Sequence, residues 1–376
     1  MVVRSSLSNN IKIPVSKPAF IGYEKKYILD CLNSTWISSI GKYIALFERS
    51  FAKYIKIKYA IACSSGTTAL HLALLALDIG PDDEVIVPTL TYVATANAVK
   101  YVNATPIFAD SEPDTWNIDH RKIEPLITPK TKAIIVVHLY GHPCDMDPIM
   151  RLAKKYSLYV IEDAAEALGA EYKEKLCGSI GHISTFSFYG NKIITTGEGG
   201  MVVTNDKRLA AKVRILKGQG MDPSRRYWFP VLGYNYRMTN IEAAIGFAQL
   251  KNIKVFLKKR RKIAEWYGKY LEGIPGIQLP VEKPYALHSY WMYSILIGNN
   301  FGKTRDEIIA LLANKGVETR PFFYPMHIMG IYKTTASAKL LNAAVISSTG
   351  INLPTFYQLR NIDAKYISML LKNLKK

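Results

Sequence analysis

One lysine stands apart from the other charged residues of the chain. Lys192 closes the run Thr185-Phe186-Ser187-Phe188-Tyr189-Gly190-Asn191-Lys192, and the next charge, Glu198, lies in the glycine-rich stretch Gly197-Glu198-Gly199-Gly200. An ammonium held among aromatics and glycines is costly, so its pKa falls and the free amine becomes accessible. A neutral amine can attack an aldehyde and form a Schiff base. The plain alternative is a solvated lysine at a hairpin tip, because Gly190-Asn191 also breaks the run as a turn would.

Other stretches offer complementary chemistry. After the short apolar run Tyr59–Cys63, Ser64-Ser65-Gly66-Thr67-Thr68 leads into a helical pattern over Ala69–Leu77. The free N–H groups and dipole of such a helix start favour an anion, notably a phosphate. An ordinary N-capped helix reads the same way. Leu158–Ile161 reads as a strand running into Glu162-Asp163-Ala164-Ala165-Glu166-Ala167, which puts Asp163 just past a strand end. Tyr92 follows the strand Asp83–Val87, and His138 follows Lys132–Val137. Ligands of parallel α/β sheets sit beyond the carboxyl ends of the strands, so these groups could converge. No metal is expected at His138, His142, Cys144 and Asp145, whose spacing matches no zinc pattern.

A phosphate cradle, an isolated amine, a carboxylate and an aromatic together suit pyridoxal 5'-phosphate. Gly66, Thr67 and Thr68 would take the phosphate, with Ser187 adding a hydroxyl, and Lys192 would take the aldehyde. Asp163 would keep the pyridine nitrogen protonated, so that the ring withdraws electron density. Tyr92 would cover the ring face.

The elements that must position these groups follow from periodicity. Strands alternate with helices from Tyr59 to Thr204, which predicts an α/β fold with a mainly parallel sheet. Thr185–Thr204 reads as strand, turn, strand, and residues 1–18 as an irregular arm. Helices are expected over Gly22–Leu32, Tyr43–Tyr54, Ala96–Tyr101, Pro148–Tyr156, Ile241–Leu250 and Val255–Leu271. Beyond the last of these the pattern changes to strands at Tyr290–Ile297 and Val317–Arg320 and helices at Thr304–Lys315 and Ile362–Leu374. The reading is a large domain over residues 1–250 and a smaller α+β domain over residues 251–376.

The formal charge of +19 would suit nucleic acid, an anionic membrane or a phosphate-rich small substrate. The densest basic cluster, Lys258-Lys259-Arg260-Arg261-Lys262, is expected to be a solvated helix face, and no nucleic-acid-binding motif accompanies it. Cys31, Cys63, Cys144 and Cys177 are widely spaced and suggest neither disulfides nor zinc. With no secretory apolar core at the start and no bilayer-length apolar run, a cytoplasmic location away from membranes is expected.

Several motifs together resemble the DegT/DnrJ/EryC1/StrS sugar aminotransferases. They are Trp36-Ile37-Ser38-Ser39, Ser65-Gly66-Thr67-Thr68-Ala69-Leu70-His71, Val85-Ile86-Val87-Pro88-Thr89, His138-Leu139-Tyr140-Gly141, Glu162-Asp163-Ala164-Ala165-Glu166-Ala167, Ser187 to Lys192, and Tyr234-Asn235-Tyr236-Arg237-Met238. Gly218–Pro223, Arg226–Pro230 and Arg320–His327 resemble the perosamine-forming branch in particular.

The resemblance implies the PLP-dependent transferase fold type I, aspartate-aminotransferase-like, with a smaller C-terminal domain. It implies L-glutamate as amino donor, 2-oxoglutarate as its product, and a nucleotide-linked 4-keto-6-deoxyhexose as acceptor. The sugar would be GDP-linked, or alternatively UDP- or dTDP-linked with a viosamine-type product. Lys192 would act as Schiff-base residue and then as general base and acid. Asn235 would reach the cofactor phosphate of a neighbouring subunit, so a homodimer with a shared active site is implied. Glu166 should lie near the cofactor ring, where many members carry His or Gln. Trp36, Lys42, His288, Arg320 and His327 are candidates for the sugar-nucleotide cleft, each with an ordinary structural role as the alternative.

Overall fold

The computed structural model describes residues 11–332 and 340–375, so residues 1–10 of the expected arm lie outside the described residues. In chain order the strands are β1 Tyr59–Cys63, β2 Glu84–Pro88, β3 Thr105–Ala109, β4 Thr131–Val137, β5 Tyr159–Asp163, the short β6 Glu171–Tyr172 and β7 Lys175–Leu176, β8 Ile183–Ser187, β9 Gly200–Thr204, β10 Ile277–Gln278, β11 Ala286–Leu287, β12 Tyr293–Ile297, β13 Arg320–Pro321 and β14 Gly350–Leu353. The α-helices are α1 Glu24–Asn33, α2 Lys42–Ile55, α3 Gly66–Ala76, α4 Ala94–Tyr101, α5 Met146–Tyr156, α6 Lys207–Lys217, α7 Asn240–Lys251, α8 Ile253–Leu271, α9 Arg305–Asn314, α10 Leu341–Thr349 and α11 Asn361–Leu374.

The central sheet has the order β1-β9-β8-β5-β4-β2-β3. Its pairs from β8 through β3 are parallel, while β9 is antiparallel to both β8 and β1. Two antiparallel steps restore direction, so β1 points the same way as β8. Val85–Val87 and Ala133–Val136 are fully buried. Helices on both faces make such strands continuous apolar runs rather than alternating ones. The shared direction gathers the residues after β1, β2, β4, β5 and β8 at one edge.

Register makes that gathering tight. Cys63, Gly200 and Ser187 lie side by side across β1, β9 and β8. A Cβ on Gly200 would meet the Ser65 carbonyl oxygen at 2.2 Å, and one on Gly66 would meet the Ser187 Cβ at 2.8 Å. Glycine at both positions lets the start of α3 lie directly against the end of β8.

The structure alters several expectations. The first strand of the Lys192 region ends at Ser187, and β9 begins only at Gly200. Between them the Phe188 carbonyl accepts from the Thr196 N–H (2.9 Å) and the Thr195 hydroxyl (2.9 Å), which pulls the chain out of the ladder. Helix α3 starts at Gly66 rather than Ala69, because Ser65 and Thr68 form a reciprocal capping box. Val317 makes only an isolated bridge to Ile13, and β13 pairs with β14 for two residues. Helices α6 and α10 and strand β14 were not anticipated.

Of the remaining strands, β10-β12-β14-β13 form an antiparallel sheet packed on α8, α9 and α11 through Ile263, Tyr267, Ile308, Leu312 and Ile367, and β11-β6-β7 form a small antiparallel one. Residues 11–18 have no helix; Val15 N–H donates to Glu318 (3.0 Å) and its carbonyl accepts from Thr355 (2.9 Å). Phe322, Ala343 and Ile346 return to the core that contains Phe186, Phe188 and Met201. Among the described residues no helix is long and apolar enough to cross a membrane.

The basic run on α8 is not wholly a solvated face. Arg260 is buried, and its Nη1 donates to the carbonyls of Trp291 (2.5 Å) and Thr355 (3.1 Å). Its charge is directed inward at main-chain oxygens.

Candidate active site

A cavity of about 560 Å³ opens at the gathered strand ends. One wall is the start of α3. Ser65 Oγ accepts from Thr68 N–H (3.1 Å), while Thr68 Oγ1 accepts from Ser65 N–H (3.0 Å) and donates to the Ser65 carbonyl (2.9 Å). Thr68 is thus committed to the cap and does not line the cavity, whereas Ser65, Gly66, Thr67 and Ser187 do. The Gly66 and Thr67 N–H groups have no acceptor among the described residues. They present two free donors at the positive end of an 11-residue helix.

Asp163, at the end of β5, forms another part of the wall and is 5% exposed. Its carboxylate accepts from the Thr95 hydroxyl (2.9 Å) and the Ala165 N–H (3.2 Å). Burial pushes its pKa up, and those two donors, followed by Lys192 and His138, pull it back. A buried carboxylate poised in this way gains from a cationic partner.

The Lys192 side chain enters the same cavity. Its Nζ lies 3.8 Å from Glu166 Oε1 and 3.9 Å from the centroid of the Trp291 ring. Burial lowers its pKa, against the opposing pull of Glu166 and Asp163. The lysine is not at an exposed hairpin tip: its side chain is 13% exposed. Glu166 is buried, and its Oε2 accepts from the Tyr140 N–H (2.8 Å). Burial pushes its pKa up to about 7, with Lys192 and the Tyr140 N–H opposing.

Two free N–H donors on one wall, an amine and a buried carboxylate fit an aldehyde-bearing aromatic with a phosphate tail and a basic ring nitrogen. Tyr92 also lines the cavity, its ring 5.8 Å from that of Phe323. The arrangement can hold an anion, present an amine whose proton is loosely held, and place negative charge opposite a ring.

The DegT/DnrJ/EryC1/StrS aminotransferase family matches residues 20–372. The chain belongs to that family. It is similar to the GDP-perosamine synthase of Caulobacter vibrioides, with 53% identity over 95% of this chain and 96% of the relative. It is also similar to the GDP-perosamine synthase of Escherichia coli O157:H7, with 53% identity over 94% and 96% of the two chains. Among solved structures, S. venezuelae DesV in complex with a ketimine intermediate has a TM-score of 0.89 at 33% identity, covering 94% of each chain. As a member of this aminotransferase family the chain is an enzyme that uses pyridoxal phosphate.

The aminotransferase cavity gathers some of the other candidates and not the rest. Arg320 lines it from β13. His288 is buried elsewhere: its N–H donates to Glu282 (2.7 Å), its Nδ1 accepts from Tyr290 N–H (2.9 Å), and it stacks on Tyr290. His327 is buried against Thr89, 2.7 Å from its hydroxyl. Lys42 pairs with Asp30 (2.7 Å), and the Trp36 carbonyl accepts from Asn240 (2.6 Å); both residues are exposed and outside the cavity. Asn235 is exposed, accepts from Arg237 (3.0 Å), and does not line this chain's cavity. His138 Nε2 is 3.0 Å from buried Glu162, and its Nδ1 accepts from Cys144 N–H (3.1 Å).

Sequence reasoning missed Thr95, Tyr140, Trp291 and Phe323. Thr95 lies one helical turn beyond Tyr92, so a search for polar groups at that spacing could have found it. Trp291 carried no local signal, since its contact with Lys192 joins the loop after β8 to the segment before β12.

Glu166 supplies a test by pH. Its folded pKa, about 7, lies above that of an unfolded carboxylate. Its contribution to stability is therefore full below the unfolded value and lost as pH rises through about 7. Glu166→Gln in the cofactor-free protein should remove a pH-dependent loss on the order of 2–3 kcal/mol between pH 5 and 8. Urea unfolding of both proteins at the two pH values measures it, and parallel pH dependences would contradict it.

Proposed function

We propose that the chain is a nucleotide-sugar 4-aminotransferase that converts a GDP-linked 4-keto-6-deoxymannose to the 4-amino-4,6-dideoxy sugar, with L-glutamate as donor. The observation that carries the reaction type is the Lys192 amine set between Glu166 and Trp291 in a cavity shared with Asp163 and the start of α3. The similarity to two GDP-perosamine synthases at 53% identity supports the sugar.

Pyridoxal phosphate, when bound, supplies an electron sink for the carbon that carries the amine. The Gly66 and Thr67 N–H groups and the Ser187 hydroxyl would hold its phosphate. Asp163 would face the ring nitrogen, Tyr92 would cover the ring, and Glu166 would lie beside it. Lys192 would hold the aldehyde end, and its Nζ is the group placed to accept the proton of the amine-bearing carbon as base and return it as acid. The same residues run in reverse on the keto sugar, and 2-oxoglutarate is the co-product. Arg320 is the candidate for the sugar-nucleotide end of the cavity.

The fold is read as fold type I, with a large unit over residues 1–250 and a smaller one over 251–376, bridged by the packing of Phe322, Ala343 and Ile346 in the central core. A homodimer with a shared site is part of this proposal. Asn235 lies outside its own chain's cavity, and the nearby Tyr227, Trp228, Phe229 and Leu232 are at least half exposed, an apolar loop suited to a second copy. All four cysteines are free and buried, in keeping with a reducing cytoplasm.

A substrate panel tests the assignment. Glutamate with the GDP-linked 4-keto sugar should give a C4 amine, identified by mass and NMR, with kcat/KM at least about tenfold above the UDP- and dTDP-linked ketones, a difference of about 1.4 kcal/mol. Faster turnover of a UDP- or dTDP-linked ketone would replace the proposed sugar with a viosamine-type one.

A further inference from the structure

Trp291 is held at several points. Its indole N–H donates to the Asn191 carbonyl (2.8 Å), beside Lys192. Its own carbonyl accepts from Arg260 Nη1 (2.5 Å), a buried guanidinium whose partners among the described residues are main-chain oxygens. Its ring lies nearly parallel to that of buried Tyr140, with centroids 6.2 Å apart. A buried cation without a carboxylate is expensive to keep, and here burial pulls even the Arg260 pKa down to about 10. These contacts seat the indole face beside the lysine.

The amine of Lys192 lies between that face, at 3.9 Å, and Glu166 Oε1, at 3.8 Å. Glu166 is fixed in turn by the Tyr140 N–H through its other oxygen. The geometry points to Trp291 as a positioning residue that, with Glu166, forms a berth for the lysine amine whenever the reaction releases it. This rests on the proposed transamination, which frees Lys192 in each half-reaction. An ammonium over a desolvated indole face is stabilised by the ring quadrupole. The berth keeps the displaced lysine near the reacting carbon and sets how readily it gives up its proton.

The ionisable groups facing this amine are Glu166 and Asp163 after β5, with Tyr92, Tyr140, Tyr189, Glu198 and Arg320 around the same cavity. The carboxylates raise the lysine's proton affinity and burial lowers it. The indole face adds to the carboxylates' side, so its loss should make the amine easier to deprotonate.

The test uses the holoenzyme converted by glutamate to its aminated-cofactor form, in which Lys192 is free. Reductive methylation is followed at Lys192 by peptide mass spectrometry across pH, for wild type, Trp291→Phe and Trp291→Leu. Trp291→Leu should move the labelling midpoint down by about one pH unit. Trp291→Phe, which keeps an aromatic face and loses the N–H, should restore most of that shift. An unchanged or raised midpoint in Trp291→Leu would overturn the berth. Borohydride trapping of the starting holoenzyme is the separate control: cofactor fixed to another lysine would sink the Schiff-base assignment itself, whatever the Trp291 variants do.

Discussion

Lys192→Ala should lower transamination by about 10⁴-fold, the upper end of what a positioned acid–base group supplies. The variant should still fold. Lys192 Nζ lies 3.8 Å from its carboxylate partner, beyond hydrogen-bond reach, so no buried bond is broken by its removal. What remains is Glu166, buried and without its cation. Because its pKa already stands at about 7, it can take a proton rather than stay as an uncompensated anion. Cofactor-free stability near neutral pH should therefore change by no more than about 1 kcal/mol. Borohydride should leave no cofactor covalently attached to the variant, as mass spectrometry will read. Near-normal turnover would disprove the role of Lys192, and a variant that cannot fold would disprove the claim that its amine serves chemistry rather than structure.

The legibility of this site in the sequence depended on range. Strand β1 falls where the apolar run Tyr59–Cys63 places it, because a short buried strand bounded by polar turns carries its own punctuation. Asp163 and Ser187 were readable for a related reason: each ends a strand, and in a parallel sheet a strand end is already an address. The resemblance to a known family then gave these addresses chemical roles.

Residues whose role depends on a distant partner were harder to read. Arg260 looked like one charge among five on a helix face, yet tertiary packing turns it inward to the Trp291 carbonyl. His288 was open to two readings, a cleft residue or an ordinary structural histidine; in the fold its N–H donates to Glu282 and its Nδ1 accepts from Tyr290 N–H. Helix α6 had a readable start, with Asp206 accepting from Arg208 N–H (2.6 Å) and Leu209 N–H (3.3 Å). Thr68 was grouped with Gly66 and Thr67 at the helix start, and the capping box engages both its N–H and its hydroxyl with Ser65.

Asp163→Asn should separate activity from stability in a way that only a charge aimed at the cofactor explains. The asparagine has nearly the same shape, and its amide oxygen can still accept from the Ala165 N–H or the Thr95 hydroxyl. What it lacks is the negative charge opposite the ring. Loss of one preorganised electrostatic partner costs about 10²–10³-fold in rate, and that is the expected drop in single-turnover reaction with glutamate. Stability should move in the opposite direction. Burial raises the Asp163 pKa, so its ionisation costs the folded protein more as pH rises through the folded value. Without cofactor, the asparagine variant should resist urea better than wild type at neutral pH, and the advantage should shrink in acid. A group that weakens the empty protein and strengthens the reaction is the signature of a site shaped for its ligand rather than for the fold. Unchanged half-reaction rates in Asp163→Asn would remove the ring-nitrogen role, and lower stability at neutral pH would show that the carboxylate serves the Thr95 and Ala165 contacts instead.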